Sequence, residues 1–84
     1  MTKVNKVAES AETNKAATYI QLAKGFDSQA AAIAETSDLF RVKMAAKEVT
    51  DYTNQAINAD CEFTAYTAAH SAEGWLKKVI DWNN

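Results

Sequence analysis

The sequence predicts an all-α fold: a small bundle of about three helices, a helical hairpin plus a C-terminal amphipathic helix, that assembles with copies of itself. Three observations lead there. Proline is absent and glycine occurs only twice in 84 residues, so few positions oppose a helix. The stretch from Phe26 to Glu73 contains neither residue. As one rod it would run about 70 Å at 1.5 Å per residue, longer than a domain of this size is wide, so it must fold back or extend into a partner. Apolar residues also recur three and four apart along more than one helical face.

The chain makes one domain, residues 1–84, and so short a chain buries only about 60% of the surface its unfolded form exposes. Small folds usually need a disulfide, a metal or a second subunit. One cysteine, Cys61, excludes an internal disulfide, and one histidine, His70, leaves too few ligands for a zinc site of the His and Cys type. Self-association is the remaining source of support. The net charge of −2 lacks the broad positive field of a nucleic-acid binder. No apolar run reaches the roughly 20 residues of a membrane span, and no signal-peptide core follows Lys3 and Lys6. A cytoplasmic protein is the reading that follows.

The first helix is expected over about Lys3 to Lys24, with Val4, Val7, Ala8, Ala11, Tyr19, Ile20, Leu22 and Ala23 on its apolar side. Gly25 stands where a helix-ending residue belongs, after the cationic Lys24. Phe26 then precedes Asp27 and Ser28, either suited to cap a second helix with Phe26 as its hydrophobic staple.

In that second helix Val42, Ala45, Val49, Tyr52, Ala56, Ala59, Phe63 and Tyr66 follow heptad spacing. Val42, Val49, Tyr52, Ala56, Phe63 and Tyr66 are therefore the candidates for self-association. Ile33, Phe40 and Met44 lie more than about 100° around the same helix, which predicts a second neighbour. A later stripe of Ala65, Ala68, Ala72, Trp75, Val79 and Trp82 faces nearly opposite Phe63, Tyr66 and His70, so the chain must bend. The bend is expected at Asn58-Ala59-Asp60, with Asp60 capping a helix from Cys61, in preference to His70–Gly74 or Thr36-Ser37-Asp38.

The C-terminal segment from Gly74 carries both tryptophans, seven residues apart on one side of an amphipathic helix, with Lys77, Lys78 and Asp81 mostly opposite. Trp75, Leu76, Val79 and Trp82 are candidates for closing the core, filling a groove on a protein partner, or lying on a lipid surface.

Catalytic equipment is missing. Cys61 and His70 are the only classical nucleophile and base, and on one helix they point in nearly opposite directions. His70 and Glu73 share a face but make too few ligands for a specific metal site. Arg41, Lys43 and Lys47 do not form one basic stripe and read as a solvated face. Tyr19, Tyr52, Tyr66, Thr53, Thr64, Thr67, Asn54 and Asn58 give the middle of the chain a polar seam suited to fixing helix register or to lining a small-ligand pocket between subunits.

The implied function is a non-catalytic helical interaction protein that self-assembles and binds or inhibits another macromolecule, without cofactor or metal. The alternatives are a peripheral lipid-surface or granule-coating protein using the tryptophan helix, and a small-ligand-binding oligomer. Binding of RNA is a lesser alternative, against which the acidic balance argues.

Overall fold

The computed structural model describes the backbone of residues 2–83 and the side chains of residues 15–83. Three helices pack against one another: α1 (Thr2–Thr36), α2 (Phe40–Ile57) and α3 (Glu62–Asn83). The described residues contain no strand. Two short connections reverse the chain, so α2 runs antiparallel to α1 and α3 antiparallel to α2. The result is a rod of 55 × 17 × 15 Å with a Cα radius of gyration of 15.0 Å, against about 12 Å for a compact chain of this length.

The expected break at Gly25 is absent, and this corrects the first boundary. α1 continues through Gly25 to Thr36. A mid-helix glycine costs about 0.5–1 kcal/mol relative to alanine, while Ala23 and Ala30 on either side of it are fully buried against the other helices. Packing on both sides outweighs the local propensity to stop. Asp27, expected as a cap, instead accepts a hydrogen bond from the Thr50 hydroxyl of α2. The apolar positions assigned to the start of the first helix, Val4, Val7, Ala8 and Ala11, lie outside the described side chains.

The chain turns at Thr36-Ser37-Asp38 instead. The Thr36 hydroxyl donates to the Ile33 carbonyl at 3.2 Å, Ser37 N–H to the Ala34 carbonyl at 3.3 Å, and Leu39 N–H to Ser37 Oγ at 3.1 Å. These short-range polar bonds give the backbone an alternative to the helix ladder. The second break lies in the expected region: α2 ends at Ile57, the Asn58 side chain donates back to the Asn54 carbonyl at 2.9 Å, and α3 begins at Glu62. Helix α3 continues through Gly74 to Asn83.

Among the described side chains the buried apolar residues are nine alanines, three valines and one leucine. Val42, Val49, Leu76 and Val79 fill the half nearer the α1–α2 turn, with Phe26, Ile33, Tyr52, Trp75 and Trp82 packed around them. Toward the α2–α3 turn the core is reduced to Ala23, Ala56, Ala68 and Ala69, flanked by Tyr19 and Ile20. Facing methyl groups let helix axes approach to the short end of the usual range of about 8–10 Å, which explains the narrow cross-section. They also contribute little, on the order of 0.8 kcal/mol per methyl against roughly 1.5–3 for a larger apolar side chain.

One buried hydroxyl joins α2 to α1: Thr53 lies 3.0 Å from the Ala23 carbonyl and 2.8 Å from its own helix's Val49 carbonyl. The basic residues of α2 serve the bundle as well. Lys43 Nζ donates to the Ala34 carbonyl at 2.9 Å and an Arg41 guanidinium nitrogen to the Trp82 carbonyl at 3.4 Å. Each places a cation at the negative end of a neighbouring helix.

A Cβ added at Gly25 meets nothing within 4 Å, and no described residue has positive φ. Gly25→Ala is therefore expected to stabilise the protein by about 0.5–1 kcal/mol, read as a higher denaturation midpoint. A lower midpoint would mean that α1 is interrupted there.

Candidate interaction surface

Helices α1 and α3 run side by side, and from the alanine core toward the middle of the bundle their aromatic and apolar residues meet at the surface. From α1 come Tyr19, Leu22 and Phe26; from α3 come Phe63, Tyr66 and His70. Tyr19 and Tyr66 contact edge to face, with centroids 5.2 Å apart and an interplanar angle of 69°. Tyr66 stacks on the His70 ring at 5.8 Å and 7°. His70 Nδ1 lies 3.6 Å from Glu73 Oε1. Tyr19, Leu22, Phe26, Tyr66, His70 and Glu73 border a groove of about 200 Å³, and Phe63 borders an adjoining hollow with Tyr19 and Tyr66. The groove is open, with Leu22 47% and Tyr66 45% exposed, and Phe63 beside it is 74% exposed.

The six residues expected to mediate self-association thus divide. Val42, Val49 and Ala56 are fully buried within the protomer, and Tyr52 packs against the same core. Phe63 and Tyr66 stay on the surface. The heptad stripe of α2 is satisfied by α1 and α3 of its own chain up to Ile57, and past the turn it emerges into solvent.

The C-terminal candidates divide too. Leu76 and Val79 are buried in the core, whereas Trp75 and Trp82 are half-buried on its edge. Their rings meet at 6.4 Å and 79°, with Lys78 Nζ 5.5 and 5.6 Å from the two centroids. A second outward feature lies on α2, where Phe40 and Met44, one helical turn apart, point away from the core. Ile33, grouped with them in the sequence, instead belongs to α1 and packs on the core.

Cys61 is exposed at the start of α3 and shares a hydrogen bond with the Thr64 hydroxyl at 3.4 Å. That bond, helped by the Thr64 and Phe63 backbone, holds the thiol below its usual range. His70 stands about 13 Å further along the helix direction, engaged with Tyr66 and Glu73, so the two do not form a nucleophile and base pair. Among the described residues no group of three or more His, Cys, Asp or Glu is placed to hold a metal ion, and no helix is long and apolar enough to cross a membrane.

Sequence reasoning singled out Phe63 and Tyr66 on α3, which are exposed, and did not group Tyr19, Leu22 and Phe26 of α1 with them. The signal was present: Tyr19, Leu22, Phe26 and Ile33 continue one helical face straight across Gly25. Comparison with protein-family models, curated proteins and solved structures finds no match for this chain.

The Thr64 contact predicts a pH dependence for Cys61. The midpoint of its alkylation rate against pH is expected below that of an ordinary cysteine, and Thr64→Val is expected to move it upward and slow alkylation at neutral pH. Iodoacetamide kinetics across a pH series check both; an unchanged midpoint in the variant contradicts the assignment.

Proposed function

We propose that this chain is a non-catalytic helical interaction protein that self-assembles and binds, and so blocks or modulates, another macromolecule. The observation that carries this reading is an inverted size distribution. Among the described side chains, four large apolar ones are buried, Val42, Val49, Leu76 and Val79, while eight are exposed, from Leu22 to Ile80. Scattered exposed apolar residues are ordinary; aromatic residues gathered beside a groove mark a contact surface. Tyr and Phe are also enriched where proteins meet.

Two such surfaces suit two engagements. The groove between α1 and α3 has area on both of its walls and is assigned to self-assembly. The Phe40–Met44 face of α2, set on the opposite helix, is assigned to the outside partner. A cytoplasmic setting agrees with an exposed, unpaired Cys61. The lipid-surface alternative would require Trp75 and Trp82 to leave the core edge that they cover. A small ligand in the open groove would lack cover on its outer side, where a helix would supply it.

Sedimentation equilibrium tests the reading. The unaltered chain is expected above its 9.2 kDa monomer mass. Phe63→Glu is expected to return the mass to monomer with helicity retained, because the ring touches little of its own core. Val49→Glu is expected to unfold the protomer, since its side chain is sealed inside. Phe40→Glu with Met44→Glu is expected to keep the assembled mass while losing any partner retained by the immobilised protein. An unaltered chain that stays monomeric at all concentrations contradicts the proposal.

A further inference from the structure

Resting on the self-assembly reading, we infer that the face shared by α1 and α3 binds the same face of a second copy, antiparallel about a two-fold axis level with His70, so that Glu62 of each copy meets Lys77 of the other.

The face is longer than the groove within it. Parallel α1 and α3 keep step: Tyr19 meets Tyr66, and Phe26 and Glu73, each seven residues further on, border one groove. On the side of the α2–α3 turn, Glu62 and Phe63 border the adjoining hollow with Tyr19 and Tyr66. In the other direction Lys77 lies seven residues after His70 and Ile80 seven after Glu73, about two helical turns in each case and so on the same side of α3. Four of the eight exposed large apolar residues therefore share this face: Leu22, Phe63, Tyr66 and Ile80.

Two independent observations put the symmetry axis at one height. Leu22, three residues past Tyr19, is level with Ala69 in the groove, and together with Phe63, Tyr66 and Ile80 it centres the exposed apolar area within about one residue of His70. The charges at the two ends of the face, Glu62 and Lys77, stand eight residues before His70 and seven after it, so their midpoint falls there as well. A two-fold axis across the rods at that height turns the apolar area onto itself and lays α3 on α3 of the partner subunit, as an isologous contact requires. Glu62 then comes within about one residue's rise of Lys77 of the partner subunit, and Phe63 within about one turn of Ile80 of the partner subunit. Among the described residues neither Glu62 nor Lys77 has an ion-pair partner in its own chain. Parallel pairing would instead set Glu62 on Glu62 and Lys77 on Lys77, like charges at both ends.

Area favours a second copy on this face. From Glu62 to Ile80 it runs about 27 Å along a bundle 17 Å wide, roughly 460 Å² in projection on each copy. Two copies cover on the order of 900 Å² before surface relief is counted, close to the about 1,000 Å² that a specific interface needs. The dimer is accordingly weak and concentration-dependent. Phe40 and Met44, one turn apart on a single helix, offer far less.

Charge reversal in the full chain tests the arrangement. Glu62→Lys and Lys77→Glu each set like charges at both ends of the dimer, and each alone is expected to weaken association roughly threefold or more at low salt, read by sedimentation. Their equimolar mixture is expected to regain the unaltered affinity, because opposite charges then meet at both ends. A second measurement needs no substitution: a nitroxide on Cys61, the chain's one cysteine, reports the distance between copies. Cys61 lies nine residues from the axis, so the pair is expected about 27 Å apart along the rods and about 30 Å overall with helices about 10 Å apart. A parallel pair would lie within about 20 Å. A mean distance outside about 25–35 Å overturns the inference. So do single variants that dimerise like the unaltered chain, or a mixture that fails to recover what each has lost. Those results leave self-assembly standing, whereas an unaltered chain that is monomeric removes both.

Discussion

Helix separation in this protein is set by methyl groups. Among the described side chains nine alanines are buried between α1, α2 and α3, and the fully enclosed larger apolar residues are Val42, Val49, Leu76 and Val79. Alanine draws backbones together and packs without voids, but it removes little apolar area from water. The same choice leaves no room inside for the larger residues. Phe40, Met44, Phe63, Tyr66 and Leu22 stand outside because the gaps they would fill have been closed by smaller side chains. The slender form of the molecule and its apolar surface thus have one cause.

That cause acts unevenly along the rod. Near the α1–α2 turn the valines, Leu76, Ile33, Phe26 and the two tryptophans make a core of ordinary bulk, tied by Lys43 and Arg41 to the ends of the neighbouring helices. Near the α2–α3 turn the interior is alanine, and the aromatic rings lie over it. The thinly supported end is also the end that offers a surface and from which α1 runs on.

The all-α class was legible because nothing in the sequence opposes helix, and the break at Asn58–Asp60 was legible because polar capping residues interrupt the apolar stripe there. The first boundary was not. Lys24, Gly25, Phe26, Asp27 and Ser28 together resemble a helix end followed by a helix start, and every one of those signals is local. The deciding terms were the burial of Ala23 and Ala30 against helices distant in sequence. The heptad stripe was read as a seam between copies, and spacing cannot tell whether the helix covering it belongs to the same chain. Val42, Val49 and Ala56 are covered from within; Phe63 and Tyr66, two turns further along the same stripe, are not. The α1 wall of the groove stayed hidden because the misplaced boundary at Gly25 split Tyr19 and Leu22 from Phe26.

The central claim is that a bundle with small residues inside and large ones outside depends on a second copy for part of its stability. Thermal unfolding over a hundredfold range of protein concentration tests it most directly, because association raises the midpoint by mass action. The midpoint should rise by roughly 5–10 °C across that range. A midpoint constant to within about a degree would show that the alanine core holds the fold alone and would contradict the account.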